Sequence, residues 1–292
     1  MKKTFQTLLG AFLLVGTGCS RPAEAPPPSP TPSPADSIPP VAVIAPPEPS
    51  AAVPPSAPAP VAPATPLERA EAIVAAPDRS PEDKALDPGR HPAELLAFFG
   101  IAPGMRVAEL FAGGGYTTEL LARAVGEDGV VYGQNTKFIL ERFAEKPWSE
   151  RLSKPVMKHV VRVDRELGDP LPPEAKDLDA VLAILVYHDF VWLKADRDKL
   201  NRAVFSALKP GGVYGIVDHS SKAGDGTKVT ESLHRIEESA LVAEVKKAGF
   251  VLDAAAEFLR NPSDTRDWST SPRTVGEKRG TSDRFVLRFK KP

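Results

Sequence analysis

From Leu67 onward apolar positions recur with regular spacing. "LERAEAIVAA" has a helical period and is stopped by Pro77, "DRSPEDKALDPGRH" is charged and punctuated by proline, and "PAELLAFFG" carries proline at its first helical position and glycine after its last. Short apolar runs then alternate with amphipathic ones. "MRVAELF" reads as a buried strand, Tyr116 to Val125 as a helix closed by Gly126, "GVVYGQN" as a strand, "KFILERFAE" as a helix, and "KHVVRVD" and "LDAVLAILVY" as strands. "ADRDKLNRAVFSALK" is a helix, "PGG" a turn and "VYGIVD" a strand. This alternation predicts an α/β domain with a mostly parallel sheet covered on both faces. The tail departs from it. After the helix "ESALVAEVKKAGF", ended by Gly249, "FVLDAAAEFL" begins as a strand, a polar loop runs from Arg260 to Ser282, and "DRFVLRFKK" alternates apolar with polar, so a closing hairpin puts an antiparallel strand into the sheet.

Upstream of Leu67 the pattern is of another kind. More than half of the 32 prolines fall between Pro22 and Pro66, and proline removes backbone donors and fixes φ, so residues 20–66 are expected to be a disordered Pro/Ala-rich linker. At about 3.1 Å per residue, an extended linker of this kind holds the following domain on the order of 100 Å from its start. Lys2 and Lys3, then an apolar stretch from about Leu8 to Val15, resemble a secretory signal, and the stretch is too short to span a bilayer. Cys19 follows the small residues Gly16, Thr17 and Gly18 and resembles the acylated cysteine of a bacterial lipoprotein. Residues 1–19 are thus expected to export the chain to the cell envelope, with a lipid anchor at Cys19 in the outer membrane or periplasm. The only cysteine being Cys19, no intramolecular disulfide forms and the fold rests on its core.

A formal net charge of -1 argues against a general nucleic-acid binder, which needs a clustered cationic surplus. The remaining residues 67–292 contain "VAELFAGGGYTTELLARAVG", in which an acid near a strand end precedes three glycines. In an open parallel sheet this loop lies in the crevice where strand order reverses. As a dinucleotide fingerprint the stretch fails at Thr118.

Glu109, the glycine loop, the strand "LDAVLAILVYHDF", the "ALKPGGVYGIVD" unit and the terminal hairpin together resemble class I S-adenosylmethionine-dependent methyltransferases, over about Ala93 to Lys290. Within that superfamily the domain looks like a bacterial group of predicted, often exported, methyltransferases of unknown substrate. The resemblance implies a doubly wound, mostly parallel, seven-stranded Rossmann-like sheet with an antiparallel last strand, and S-adenosyl-L-methionine as cofactor. It also implies that Glu109 sits near the methionine amino group and that Gly113 and Gly115 pass under the cofactor. Phe111 stands where the common pattern has its first glycine, and Asn135 stands where it has an acid for the ribose hydroxyls. Asp164, ending the third strand, is the candidate for the adenine amino group.

Methyl transfer needs a nucleophile held in line and in some cases a base or metal that takes its proton. His188 and Asp189 follow the fourth strand, Asp218 and His219 the fifth, and His234 and Arg235 lie just beyond. One reading makes His188 or His219 a general base, with Asp189 or another acid beside it. A second is a His/Asp divalent-metal site, although no local ligand motif supports it and no metal is assigned. A third makes these residues capping groups that shape the wall, with Tyr187, Asp218, His234 and Arg235 lining the substrate side. "RSPEDKALDPGRH" and the loop from Arg260 to Ser282 are expected to close the pocket, with Arg90 facing an acid or carboxylate. The expected activity is methylation of a small molecule or envelope component. The rival is a non-catalytic binding module that keeps the fold, suggested by Phe111, Asn135 and export away from the cytosol where this donor is made. A nicotinamide dehydrogenase is disfavoured by Thr118 and by the terminal hairpin.

Overall fold

The computed structural model describes residues 64–292. The signal-like segment, Cys19 and the proline tract up to residue 63 lie outside the described residues. The chain enters through helix α1 (Pro66–Val74), whose start is fixed by a reciprocal bond pair between Thr65 and Glu68. The charged stretch folds into two single turns, α2 (Pro81–Lys84) and α3 (Asp87–Arg90), and α4 (Pro92–Phe99) follows with Gly100 in the left-handed conformation after its end. Strand β1 (Arg106–Leu110), helix α5 (Tyr116–Val125) and strand β2 (Val130–Asn135) form the first parallel crossover. Helix α6 (Lys137–Ile139) runs through a π-helical turn over Leu140–Ala144 into α7 (Glu145–Leu152), ahead of β3 (Val160–Asp164) and β4 (Leu178–Ile184).

Two boundaries differ from the sequence pattern. "LDAVLAILVY" stops as a strand at Ile184, because Leu185 takes φ +62° and its N–H turns to the Val217 carbonyl at 2.7 Å. Tyr187 therefore begins helix α8 (Tyr187–Trp192) instead of ending the strand. After α9 (Arg197–Ala207) the strand β5 starts at Leu208 and runs to His219, so the "PGG" turn is a bulge within it, with Gly211 at φ +77°. Helices α10 (Thr230–Leu233) and α11 (Glu238–Lys247) precede β6 (Val251–Ala256) and β7 (Arg284–Lys290).

The seven strands lie in the order β3-β2-β1-β4-β5-β7-β6, parallel except for β7, which runs antiparallel to both β5 and β6. Strand order reverses between β1 and β4. Both are covered on two faces, which is why their sequences are nearly continuous apolar runs. One core, around Tyr187, Phe190, Tyr214 and Phe285, lies under α8, α9 and α11; the other, around Leu96, Phe99, Leu121 and Trp148, lies under α4, α5 and α7. The carboxyl ends of β1, β2, β4 and β5 thus share one edge of the molecule.

The charged entry segment is held to this frame by ions. Arg151 on α7 reaches Asp83 with a short bond of 2.6 Å and also bonds Glu119 on α5, which in turn takes Lys154 and Arg123 at 2.8 Å each. Arg79 makes a two-pronged pair with Asp87, 2.7 Å on each arm.

Candidate functional site

β1 ends in a turn with three positive φ angles, at Phe111, Gly113 and Gly115. Phe111 keeps the glycine conformation at φ +53° despite its side chain, and its ring packs edge-on against Phe190 at 5.2 Å between centroids. The neighbouring strand end holds the turn in place. Gln134 accepts the Phe111 N–H at 3.1 Å, and Asn135 accepts the Gly113 N–H at 2.8 Å while donating to the Gly113 carbonyl at 3.1 Å. Asn135 is fully buried with both amide groups bonded to Gly113, so it clamps the loop. A carboxylate cannot make this pair, because it has no donor for the Gly113 carbonyl.

The glycines also divide their roles. Gly113 has only the Phe111 carbonyl oxygen, 4.0 Å away, near the place where a Cβ would stand, so its outer side is open. A Cβ on Gly115 would sit 2.5 Å from the Trp148 ring and 2.8 Å from Arg151, so this glycine gives Trp148 its seat. Gly133 seats the far edge of the same ring, with a would-be Cβ 2.6 Å from it. Asp164 is half exposed and held by Arg162 at 2.9 Å, which also binds Glu145 at 2.7 Å. Its carboxylate is thus paired with a cation beside the strand end.

Glu109 lies beneath this turn and is 4 % exposed. It accepts a short bond from the Thr118 hydroxyl, and among the described residues no Lys or Arg bonds to it. Burial pushes its carboxyl up to about 7, against the hydroxyls of Thr118 and Thr117 and the charges of Arg90 and Arg151. Thr118, where the dinucleotide fingerprint fails, is therefore the residue that holds the acid. A narrow, mostly apolar cleft adjoins it, lined among others by Arg90, Tyr116, Leu185, Leu259 and Arg284. The entry segment closes over this cleft. Tyr116 donates to Asp87 at 2.6 Å, Arg90 stacks over the Tyr116 ring at 4.4 Å, and Arg284 donates to the carbonyls of Gly89 and Gly280. Arg90 faces the aromatic ring and the Glu109 field instead of making an ion pair, and burial lowers its pKa.

The second cluster stands at the ends of β4 and β5. Asp218, fully buried, accepts both the His188 backbone N–H and its Nδ1, each at 2.7 Å. The His188 Nε2 lies 3.3 Å from Asp189 Oδ1 and 3.3 Å from His234 Nδ1, and the last two atoms are 3.5 Å apart. Burial opposes charge on His188, but Asp218 and Asp189 outweigh it and push the imidazole up to about 10, while Asp189 is held well below the usual carboxylate range. His219, its ring 5.8 Å from that of His188, is held far below its ordinary value by burial and by the charges of His188, Arg284 and Arg235, and its Nδ1 meets Ser282 Oγ at 2.7 Å.

Two expected wall residues are not in the wall. Tyr187 points into the core, where its hydroxyl donates to Glu244 at 3.0 Å and accepts from Asn201 at 2.8 Å. It faces inward because β4 ends three residues earlier than its apolar run suggests. Arg235 is fully buried behind the wall, paired with Asp264 at 2.8 Å and stacked over Trp268 at 4.5 Å, so it anchors the long loop before β7. Nothing in the local pattern marks Trp148, Gln134 or Arg284, whose partners are distant in sequence. The loop expected to be a polar cover is held by buried ions.

No family model matches the chain. Its sheet order, its antiparallel seventh strand and its helices on both faces are the Rossmann-like fold of class I S-adenosylmethionine-dependent methyltransferases. Among solved structures, a SAM-dependent methyltransferase from Aquifex aeolicus superposes with a TM-score of 0.51 at 19% identity, over 72% of this chain and 97% of that one. A protein assigned as a sarcosine dimethylglycine methyltransferase, from Galdieria sulphuraria, gives 0.50 at 17% identity, over 72% of this chain and 84% of its own. The likeness is one of fold.

Proposed function

We propose that the chain is an S-adenosylmethionine-dependent methyltransferase acting on an oxygen, nitrogen or sulfur of a small molecule or envelope component, exported and anchored through Cys19. The observation that carries this reading is Glu109, a buried carboxyl at the switch point of the sheet, beside an open positive-φ glycine, with a hydroxyl but, among the described residues, no cation bonded to it. Such a group is matched by the ammonium of the cofactor's methionine part, and Gly113 leaves room for the chain beside it. At the ribose end Asn135 is committed to Gly113, so the ribose hydroxyls must be met by other groups or by water.

When bound, the cofactor supplies a methyl group made electrophilic by its sulfonium. The protein's own part is positional and electrostatic. Glu109, releasing its proton, balances the cofactor's positive charge; the strap of Asp87, Tyr116 and Arg90 keeps water from the cleft; and His219, at the end of β5, is the group assigned to the acceptor's proton.

A second reading, a binding module that has kept the fold and lost the chemistry, is favoured by the Asn135 clamp, which removes the usual ribose anchor. Mass spectrometry of small molecules retained by protein purified from the envelope fraction separates the two. A co-purified S-adenosyl compound supports the enzyme and its location together; a different small ligand supports the module.

A further inference from the structure

We propose that His188, Asp189 and His234 form a divalent transition-metal site of the zinc type, with one coordination position left open. Their three donor atoms are the corners of a triangle with edges of 3.3, 3.3 and 3.5 Å. Charge-assisted hydrogen bonds are shorter, about 2.7 to 2.9 Å, as the His188 bond to Asp218 at 2.7 Å shows within the same cluster. A tetrahedral zinc ion with bonds of about 2.0 to 2.1 Å has ligands about 3.3 Å apart. The cluster is thus too wide for good hydrogen bonds and of the right size to share one ion.

The supporting residues point the same way. His188 is 3 % exposed, and among the described residues its Nε2 meets Asp189 Oδ1 and His234 Nδ1, while Nδ1 donates to Asp218. A carboxylate behind a ligating imidazole fixes its tautomer and raises its basicity. Asp189 Oδ1 is steadied by the Trp192 indole N–H at 2.6 Å. His234 adopts φ +49°, an unusual backbone for a non-glycine residue, and its carbonyl is tied by the Thr270 hydroxyl at 2.6 Å. Three ligands from two segments converge, one side chain from α8 and its neighbour, the other from the loop after α10. Two imidazoles and one carboxylate favour zinc, cobalt or iron over magnesium or calcium, which take oxygen ligands. Three protein ligands leave a fourth position for water or for an anionic oxygen or sulfur. That this ligand is the methyl acceptor rests on the methyltransferase reading; metal binding itself does not.

The test is titration of the full-length, chelator-treated protein with Co(II) and Zn(II), followed by visible absorption and by competition with a chromophoric chelator. One equivalent is expected per chain, with tetrahedral nitrogen and oxygen d–d bands and no thiolate charge-transfer band of the kind Cys19 would add. His234→Asn, which keeps a residue tolerant of positive φ, is expected to weaken binding at least tenfold, and Asp218→Asn by about 10- to 100-fold, with folding followed by circular dichroism. Absence of saturable binding at about 100-fold molar excess of either ion overturns the proposal, as does unchanged affinity in His234→Asn. If either variant fails to fold, the wild-type Co(II) spectrum decides, since bands of octahedral or thiolate type contradict the site.

Discussion

Asn135→Asp tests the clamp on the glycine turn, because it installs the acid usual at this strand end. The substitution is nearly isosteric. It keeps the acceptor for the Gly113 N–H and removes the donor to the Gly113 carbonyl, 3.1 Å away in a position with no exposed surface. A buried acceptor left without its partner costs about 1 to 3 kcal/mol, and the new carboxylate then lies against that carbonyl's negative end. For a domain of this size about 1 kcal/mol moves Tm by roughly 2 to 4 °C, so a fall of roughly 2 to 12 °C is expected. Circular dichroism melts at pH 7, with parallel titration by S-adenosylmethionine, read the outcome. The variant is expected to melt lower and to bind no more tightly than wild type. A variant of equal stability that gains affinity refutes the clamp and returns Asn135 to the ribose.

Other parts of the structure make independent predictions. Gly115→Ala brings a Cβ to 2.5 Å from Trp148 at φ +82°, and overpacking of this kind is expected to cost about 2 kcal/mol or more in urea denaturation; an unperturbed midpoint argues against the Trp148 seat. Because the Glu109 carboxyl is raised in the fold to about 7 from an ordinary 4.5, its contribution is fully present below pH 4.5 and lost as pH rises to about 7. The difference in unfolding free energy between wild type and Glu109→Gln is expected to change by about 3 kcal/mol across that window, at about 1.4 kcal/mol per pH unit of separation. A pH-independent difference means an acid with an ordinary pKa. Asp264→Ala leaves Arg235 charged and fully buried, with an expected loss of about 3 to 5 kcal/mol; a loss below about 1 kcal/mol shows that the loop does not depend on the pair.

The order of strands and helices was legible in the sequence because each period is local: 3.6 residues along α5, α9 and α11, and unbroken apolar runs in β1 and β4. The alternation expected of β7 is not found: Arg284 to Leu287 and Phe289 are all buried, because the strand is covered on both faces. The place of Glu109 and its glycine turn was legible too, since a strand end followed by glycines has few positions in a doubly wound sheet. Two things were not. A strand end set by backbone conformation, as at Leu185 with φ +62°, leaves no mark in an apolar run, and so Tyr187 was placed on the wrong side. The direction of a polar side chain depends on partners across the fold. Asn135 turns to Gly113 and Arg235 to Asp264, 22 and 29 residues away, and neither spacing has a period to reveal it. The convergence of His188, Asp189 and His234 is intermediate: the place of His188 and Asp189 after the fourth strand is readable, while the approach of His234 from the loop after α10 and the common distance of the donor atoms are properties of the folded chain alone.

The central claim is that Glu109 receives the cationic end of S-adenosylmethionine, and calorimetric titration of the full chain at pH 8, wild type beside Glu109→Gln, tests it most directly. Saturable binding at one site is expected for wild type. A bond to a charged partner contributes about 1.5 to 3 kcal/mol, so the variant is expected to bind at least tenfold more weakly. Wild type that binds neither the cofactor nor its demethylated product at millimolar concentration, or a variant that binds as tightly as wild type, contradicts the account.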